Sequence, residues 1–203
     1  MITIIDYGLG NLLSIQNMLK KAGYASTISS EENDIASASK LILPGVGAFD
    51  AGITNLRQRK LIDIIYKKVL EDNTPLLGIC LGMQLMTKSS EEGKLPGLGL
   101  IDAQTIRLSF NDKNIKIPHM GWNIVEQKKE SSLFYDMDGE KRFYFVHSYH
   151  VVCNDNNDIL SSSPYGFDFT SSFERKNIVG VQFHPEKSHT FGMKLLRNFI
   201  EKY

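Results

Sequence analysis

Short apolar runs that end in glycine-rich turns alternate with amphipathic segments through the first 90 residues of the chain. Three runs, at 2–7, 41–43 and 75–79, have the composition of buried strands. Between them, apolar residues recur at helical spacing over 12–22 and about 51–72. Such alternation implies right-handed crossovers, so the pattern predicts an α/β fold with a parallel sheet. Ligands of these sheets usually bind beyond the carboxyl ends of the strands.

The second half of the chain has a different pattern, in which short alternating runs are separated by polar turns. Runs at 100–108, 113–117 and 142–146 favour antiparallel strands added to the sheet. A buried strand is predicted again at 178–183, and apolar residues over 193–200 fit one face of a final helix. We therefore expect a mostly parallel central sheet flanked by helices, with additional antiparallel strands in the C-terminal half.

Two polar stretches, 126–130 and 154–163, are predicted to be surface loops because their apolar content is too low to demand burial. The length of 203 residues is sufficient for one substantial hydrophobic core. No internal repeat or low-complexity linker divides the sequence. We therefore expect 1–203 to form a single domain.

Composition argues against several classes of function. Lys plus Arg (23) balances Asp plus Glu (23), so the bulk charge that attracts nucleic acid or acidic membranes is absent. No apolar run reaches the roughly 18 residues of a membrane span and no basic cluster opens the chain, which favours a cytoplasmic location. Cys80 and Cys153 are too few for a disulfide framework or a four-ligand zinc site. His147 and His150 lack further ligands at familiar spacing, so we predict no metal site.

Cys80 lies between two glycines at the junction of a predicted strand and helix, in the segment 78–82 (GICLG). Flanking glycines permit a sharp turn and close approach of neighbouring backbone, as in a nucleophile elbow. A thiol there is exposed at the end of the sheet, and the backbone N–H of Leu81 is free to donate to an oxyanion. The alternative is a small cysteine that fills a gap between strand and helix.

His184 is the candidate base for this cysteine, because it follows a buried strand and precedes Pro185 and Glu186. If the extended conformation continues through Pro185, residues 184 and 186 face the same side and the carboxylate orients the imidazole. The alternative is a strand-end histidine with a solvated glutamate. His147 also ends an apolar run and is a rival base, but it has no carboxylate two residues away.

Two glycine-containing segments remain. The segment 44–47 (PGVG) offers backbone N–H groups that side chains do not crowd, which suits a second oxyanion donor, although a simple tight turn has the same composition. The segment 6–11 (DYGLGN) resembles a dinucleotide fingerprint but has leucine, Leu13, at the third glycine position. We therefore do not predict nucleotide binding.

Three ordered motifs, 44–47 (PGVG), 78–84 (GICLGMQ) and 182–186 (QFHPE), together resemble the class I, triad-type glutamine amidotransferases. Further segments resemble those members of the family that act as separate glutaminase subunits. These segments are 6–11 (DYGLGN), 116–123 (KIPHMGWN), 145–149 (FVHSY) and 185–188 (PEKS). The resemblance spans nearly the whole chain. It implies a flavodoxin-like glutaminase domain that hydrolyses L-glutamine and passes ammonia to a separate cyclase subunit, a (βα)8 barrel, without a cofactor.

The resemblance also implies a role for individual residues. The nucleophile is Cys80, the general base and acid is His184, and Glu186 orients His184. The oxyanion is bound by backbone N–H groups of Leu81 and of the region of Val46 and Gly47. The substrate glutamine is surrounded by Gln84, Glu92, Ser148 and Tyr149, with Glu92 opposite its α-ammonium group.

The same resemblance implies a docking face for the ammonia acceptor. Its members are His119, Met120, Trp122, Asn123 and Lys187, with Trp122 as the interface anchor. The alternative for Trp122, the only tryptophan, is ordinary core packing. The resemblance further implies that the isolated subunit hydrolyses glutamine poorly, because binding of the acceptor completes the oxyanion hole.

Two departures from the family pattern bear on the pathway. His150 stands where many relatives carry an aromatic residue, and 86–90 (MTKSS) replaces a more acidic or aromatic stretch. Paralogues of these glutaminases supply ammonia to a sugar-amidating synthetase of surface-polysaccharide pathways, which is the alternative function. A cysteine peptidase-like hydrolase and a non-catalytic scaffold are further alternatives; Gln84 and Glu92 favour a small glutamine pocket instead.

Overall fold

The structure of the protein is a computed structural model that describes all residues, 1–203. Twelve strands form one extended sheet. They are β1 (Ile2–Ile5), β2 (Ser26–Ser29), β3 (Lys40–Leu43), β4 (Leu76–Ile79), β5 (Ser89–Ser90), β6 (Ala103–Arg107), β7 (His119–Gln127), β8 (Lys141–His147), β9 (Tyr149–Cys153), β10 (Ile159–Pro164), β11 (Asp168–Arg175) and β12 (Ile178–Val181). The α-helices are α1 (Leu12–Lys21), α2 (Glu32–Ala36), α3 (Phe49–Gln58), α4 (Leu61–Tyr66), α5 (Leu81–Leu85) and α6 (His189–Lys202).

Five strands make the parallel part of the sheet, in the order β2-β1-β3-β4-β12. This is the strand order of flavodoxin-like folds, in which helices cover both faces of the sheet. Four further strands continue antiparallel from β12 as β11-β10-β7-β8. Beside them, β9 pairs antiparallel with β11 and β6, and the two-residue strand β5 pairs parallel with β6. The predicted α/β class with an antiparallel extension in the C-terminal half is therefore confirmed.

Two hydrophobic cores fill the two faces of the sheet. Neighbouring residues of one strand enter opposite cores: Leu76 packs with α3 and α4, whereas Leu77 packs with α1 and α6. Burial on both faces explains why β1, β3, β4 and β12 are continuous apolar runs rather than alternating ones. No helix combines the length and apolar composition needed to cross a membrane.

The helix predicted over 51–72 is interrupted in the structure. Lys60 adopts the left-handed conformation, with φ 58° and ψ 33°, and separates α3 from α4. The last turns, Lys67–Glu71, are π-helical. Neither the strand β2 nor the helix α2 was predicted from sequence. The strand β2 is a polar, half-buried edge strand, so it lacks the apolar pattern that predicts a buried strand.

Three sequence predictions in the second half are wrong in whole or in part. The run 113–117 is a turn rather than a strand, with the Asp112 carboxylate accepting from the backbone N–H of Asn114. The stretch 154–163 is not a surface loop, because it contains the buried strand β10. Ser161 is fully buried there, and its hydroxyl forms a hydrogen bond of 2.9 Å with the Ser171 hydroxyl. The stretch 126–130 also begins inside β7, and only its end is a loop.

Candidate active site

Three segments meet beyond the carboxyl ends of adjacent parallel strands. The segment 44–47 follows β3, Cys80 follows β4, and His184 lies three residues beyond β12. Residues from all three segments line a cavity of about 340 Å³, a volume suited to a small ligand. The edge of the sheet predicted from sequence therefore carries a shaped cavity.

Cys80 occupies a strained turn between β4 and α5. Its φ of 53° and ψ of −110° are uncommon for a residue with a side chain. The turn brings α5 very close to β3, since a Cβ atom at Gly82 would lie 1.8 Å from the carbonyl oxygen of Leu43. Only glycine fits at position 82 without moving the helix. This is the geometry of a nucleophile elbow. The prediction of an exposed thiol is wrong, because Cys80 is buried with 7% exposure and only lines the wall of the cavity.

His184 and Glu186 form a buried ion pair. The Nδ1 atom of His184 lies 2.8 Å from Oε1 of Glu186, and both side chains are 1% exposed. The prediction that the chain stays extended through Pro185 is wrong, because Pro185–Lys187 forms a 3₁₀ turn. That turn still places the carboxylate against the imidazole. Ser188 fixes the turn by donating its hydroxyl hydrogen to the carbonyl oxygen of His184 at 2.6 Å.

The second ring nitrogen of His184, Nε2, is buried and makes no hydrogen bond within the chain. Burial by itself lowers the pKa of an imidazole, but the adjacent Cys80 thiol and Glu186 carboxylate raise the pKa of His184 to about 10. The arrangement therefore favours a protonated imidazole beside the sulfur, which is the charge pattern of a cysteine–histidine nucleophile.

The backbone N–H of Leu81 differs from the prediction, because it is not free. It donates to the carbonyl oxygen of Gly45 at 3.3 Å. Val46 is 41% exposed, and Gly47 has a φ of 116°. The segment 44–47 therefore presents a carbonyl where an oxyanion donor was expected.

The cavity collects the residues that the sequence assigned to substrate binding. Besides Cys80 and His184, its lining includes Val46, Gly47, Leu81, Gln84, Glu92, Ser148 and Tyr149. One oxygen of Glu92 accepts from the backbone N–H of Phe49 at 2.9 Å, which fixes this carboxylate beside the first turn of α3. A single carboxylate at the wall of a small cavity suits a ligand with one ammonium group.

Comparison with known families decides the relationship. The model of the family described as glutamine amidotransferase class-I matches residues 3–203. The chain belongs to the class-I glutamine amidotransferases. It is 55% identical to the imidazole glycerol phosphate synthase subunit HisH 2 of Methanococcus maripaludis, covering 100% of both chains. It is 49% identical to the subunit HisH 2 of Pseudomonas aeruginosa, covering 99% of both chains.

Solved structures agree with this fold at much lower identity. A crystal structure titled glutamine amidotransferase superposes with a TM-score of 0.77 at 19% identity, covering 99% of this chain and 98% of that one. A glutamine amidotransferase from Thermotoga maritima gives a TM-score of 0.62 at 19% identity, covering 100% of this chain and 81% of that one. The amidotransferase fold therefore extends over essentially the whole chain.

His147, the rival base, also lines the cavity of this amidotransferase, but both of its ring nitrogens are occupied. Nδ1 lies 2.8 Å from the carbonyl oxygen of Tyr149, and Nε2 lies 3.0 Å from Nδ1 of His119. A carbonyl only accepts, so Nδ1 of His147 carries its proton and Nε2 accepts from His119. Burial lowers the pKa of His147 to about 3, which makes it a neutral structural residue.

Gln182 is a site residue that the sequence analysis did not assign, although it lies in the motif 182–186. Its side chain is fully buried, and its amide nitrogen lies 3.7 Å from the sulfur of Cys80. Gln84 in turn donates to the amide oxygen of Gln182 at 3.0 Å. Only its position within the motif pointed to it, because glutamine near a strand end has no chemical signature of its own.

The residues assigned to a docking face are divided between surface and interior. Met120 and Trp122 project from β7 with 61% and 44% exposure, whereas the side chain of His119 is 3% exposed and packs inward. Lys187 is also exposed, with its ammonium group over the ring of Tyr144. Asn123 is half-buried on the same side of β7 as His119. Trp122 is not a core residue, because its ring stacks on His189 at the surface.

Cys153 and the remaining histidines give no second reactive centre. Cys153 is a free, buried cysteine at the end of β9, and burial raises the pKa of its thiol to about 12. The side chain of His150 is buried against Phe167, with its Nδ1 unpaired. No group of three His, Cys, Asp or Glu side chains is arranged to hold a metal ion.

Proposed function

We propose that this amidotransferase is the glutaminase subunit of an imidazole glycerol phosphate synthase. In this proposal it hydrolyses L-glutamine to glutamate and ammonia and delivers the ammonia to a separate cyclase subunit in histidine biosynthesis. The cyclase uses it to form imidazole glycerol phosphate and aminoimidazole carboxamide ribonucleotide. The observation that carries the chemistry is the cavity-lining Cys80 beside a His184–Glu186 pair. The names of full-length relatives at 55% and 49% identity support the pathway.

The first half of the reaction forms a thioester. The Cys80 thiolate attacks the side-chain carbonyl carbon of glutamine, and the carbonyl oxygen becomes an oxyanion. Protonated His184 donates its Nε2 proton to the leaving nitrogen, and ammonia departs. Glu186 keeps the imidazole ring oriented by holding Nδ1 at 2.8 Å.

The second half hydrolyses the thioester. Neutral His184 takes a proton from a water molecule, which attacks the thioester carbon and forms a second oxyanion. Collapse of this intermediate releases glutamate and returns the sulfur of Cys80 as thiolate, with the proton on His184. Both oxyanions require backbone donors, for which we propose the N–H groups of Leu81 and of Val46 or Gly47.

Recognition of glutamine requires a partner for each end of the amino acid. We propose that Glu92 binds the α-ammonium group, with Ser148 and Tyr149 at the α-carboxylate. The amide nitrogen of Gln84 is already used, since it donates to the carbonyl oxygen of Tyr149 at 3.2 Å and to Gln182. Gln84 therefore contacts the substrate through its oxygen or only shapes the cavity.

The proposed partner is a cyclase with a (βα)8 barrel, forming a heterodimer over the exposed face of Met120, Trp122 and Lys187. In the isolated chain the Leu81 N–H donates to Gly45. We propose that docking turns the peptide between Gly45 and Val46, which frees Leu81 and points the Val46 N–H toward the oxyanion. The proposal treats 1–203 as one domain and places it in the cytoplasm, where reducing conditions keep a nucleophilic thiol active.

A second candidate function is supply of ammonia to a sugar-amidating synthetase of surface-polysaccharide biosynthesis. The relatives at 55% and 49% identity are both named HisH 2, so each is a numbered form of the subunit. The departures at His150 and 86–90 also distinguish this chain from the usual pattern. The catalytic residues have the same roles in this candidate, and only the docked partner differs.

The deciding experiment measures release of ammonia and glutamate by the purified chain, alone and with each candidate partner. One arm adds an imidazole glycerol phosphate cyclase with its ribonucleotide substrate, and another adds a sugar-amidating synthetase with its substrates. Stimulation by the cyclase that disappears in Cys80→Ala supports the proposed function. Stimulation by the synthetase alone transfers the protein to the second candidate.

A peptidase or a non-catalytic scaffold is tested by labelling. A glutamine-derived electrophile that modifies Cys80 stoichiometrically, and that free glutamine blocks, is expected only for a glutaminase. Absence of this protected labelling would overturn the glutaminase assignment in both pathways.

A further inference from the structure

Besides His184, the sulfur of Cys80 has two polar neighbours of opposite character inside the protein. The carbonyl oxygen of Val146 lies 3.9 Å away and can only accept a hydrogen bond, so it suits the neutral thiol. The amide nitrogen of Gln182 lies 3.7 Å away and donates to the sulfur. A donor stabilises the sulfur best when it carries negative charge, which is the attacking form.

The orientation of the Gln182 amide is fixed by a second glutamine. Nε2 of Gln84 donates to Oε1 of Gln182 at 3.0 Å, so the other end of the Gln182 amide, its NH₂ group, faces the sulfur. Gln84 is itself fixed because its Nε2 also donates to the carbonyl oxygen of Tyr149 at 3.2 Å. A carbonyl oxygen cannot donate, so a 180° flip of either side-chain amide would break at least one of these hydrogen bonds.

The hydrogen-bond network continues from the two glutamines, through the carbonyl oxygen of Tyr149, to two histidines. The Tyr149 carbonyl also accepts from Nδ1 of His147, whose Nε2 lies 3.0 Å from His119. The side chains of both glutamines and both histidines are buried, and hydrogen-bonded polar groups in the interior hold one another in place. The NH₂ group of Gln182 is therefore held in place from behind, away from the cavity.

We propose that Gln182 is a positioning residue for the nucleophile of this amidotransferase. Its NH₂ group holds the sulfur of Cys80 at the cavity wall and favours the negatively charged form during attack. Gln182 does not line the cavity, so it acts on the sulfur and not on glutamine. The effect on turnover rests on the proposed function, whereas the effect on the sulfur does not.

Two substitutions separate donation from packing. Gln182→Met keeps the length of the side chain and removes both polar groups. Gln182→Glu keeps the shape and the oxygen that accepts from Gln84, but places an oxygen where the NH₂ group faced the sulfur. The readout is the rate at which iodoacetamide alkylates Cys80, measured by peptide mass spectrometry at neutral pH, which requires neither glutamine nor a partner.

We expect Gln182→Met to slow alkylation about tenfold, the effect of losing one hydrogen bond to a charged group. We expect Gln182→Glu to slow it at least as much when its carboxyl group is ionised, because the carboxylate repels the thiolate; a protonated carboxyl group would instead donate to the sulfur as the amide does. A Met variant within about twofold of wild type would show that the residue only packs, and would overturn the proposal.

Folding and function are controlled separately. Thermal unfolding shows whether each variant folds. If neither does, Gln84→Met tests the contact between Gln182 and the sulfur indirectly, because it removes the bond that orients the Gln182 amide. We expect Gln84→Met to slow alkylation of Cys80. An unchanged rate in that variant would then overturn the proposal. With a stimulating partner present, we expect the Gln182 variants to have a lower kcat for glutamine hydrolysis, whereas their KM stays within about twofold of wild type. If the wild-type protein does not hydrolyse glutamine, the proposed function fails. The alkylation rates of the variants relative to wild type still decide the role of Gln182.

Discussion

The carbonyl oxygen of Gly45 accepts a hydrogen bond from the backbone N–H of Leu81 at 3.3 Å. This N–H is the group at the elbow that an oxyanion next to Cys80 would need. The side chains proposed for catalysis line the cavity, but the N–H group proposed to bind the intermediate is engaged elsewhere. Removal of one oxyanion donor typically lowers kcat by about 10²- to 10³-fold, so we expect this single bond to keep the isolated chain slow.

The first prediction follows from that bond. We expect the isolated chain to bind glutamine but to turn it over slowly, and a cognate partner to raise kcat about 100-fold or more while KM changes little. The cavity that would hold glutamine already exists in the free chain, which is why binding is expected to change less than turnover. Steady-state release of glutamate with and without the partner measures both constants. Full turnover by the isolated chain would contradict this account.

The second prediction concerns the carboxylate of Glu186. Glu186→Gln removes a charge that helps to raise the pKa of His184 to about 10. We expect the pKa of His184 to fall and kcat to drop about 100-fold or more, because the imidazole loses its orienting charge. The ring-proton NMR shift of His184 reports the pKa, and glutamate release reports kcat. Glu126→Gln, at an exposed pair with Lys128, is the matched control and is expected to leave both unchanged.

The third prediction concerns the exposed ring of Trp122, which stacks on His189 with the ring centroids 5.5 Å apart. Trp122→Ala is expected to weaken binding of the partner by about 30-fold or more, as for a central aromatic anchor. The thermal midpoint of the free chain is expected to change little, because 44% of the residue is already exposed. Calorimetric titration measures the affinity. Tyr135→Ala removes another exposed aromatic outside this face, and equal losses for both variants would rule out a specific anchor.

The geometry around the proposed catalytic residues was predictable from sequence because its signals are local. Two glycines around Cys80 specify the elbow, and a carboxylate two residues after His184 specifies the pair, whichever turn joins them. The premise of an extended Pro185 was wrong, yet the 3₁₀ turn gives the same contact. The parallel strands other than β2 were predictable for a related reason, since burial on both faces leaves continuous apolar runs.

The features that escaped prediction depend on partners distant in sequence. Ser161 appeared to belong in a loop because its hydroxyl partners, Ser171 and Ser172, lie on the neighbouring strand. The N–H of Leu81 appeared free because Gly45 is 36 positions away, and Gln182 had no role until Gln84 lay beside it. Pairing of polar groups across the fold leaves no periodic signal in a sequence.

The last prediction concerns stability in acid. His119 and His147 are buried and hydrogen-bonded to each other at 3.0 Å, and burial lowers the pKa of His119 to about 4 and that of His147 to about 3. The unfolded chain titrates these groups near pH 6.5. Between pH 6.5 and about 4 these histidines are therefore protonated in the unfolded chain but neutral in the folded chain. The contribution of the two neutral histidines to the free energy of unfolding is complete above pH 6.5 and is lost as pH falls.

Two variants of His119 separate this titration from the hydrogen bond. His119→Phe leaves Nε2 of His147 without its donor, and we expect it to lower the free energy of unfolding at pH 7 by about 1–2 kcal/mol. His119→Gln supplies an amide donor and is expected to lose less. Both variants lack one titrating group, so their deficit relative to wild type should shrink at pH 4.5 by on the order of 2 kcal/mol. Urea unfolding at the two pH values measures these differences, and a deficit in both variants that does not change with pH would contradict a buried, neutral His119.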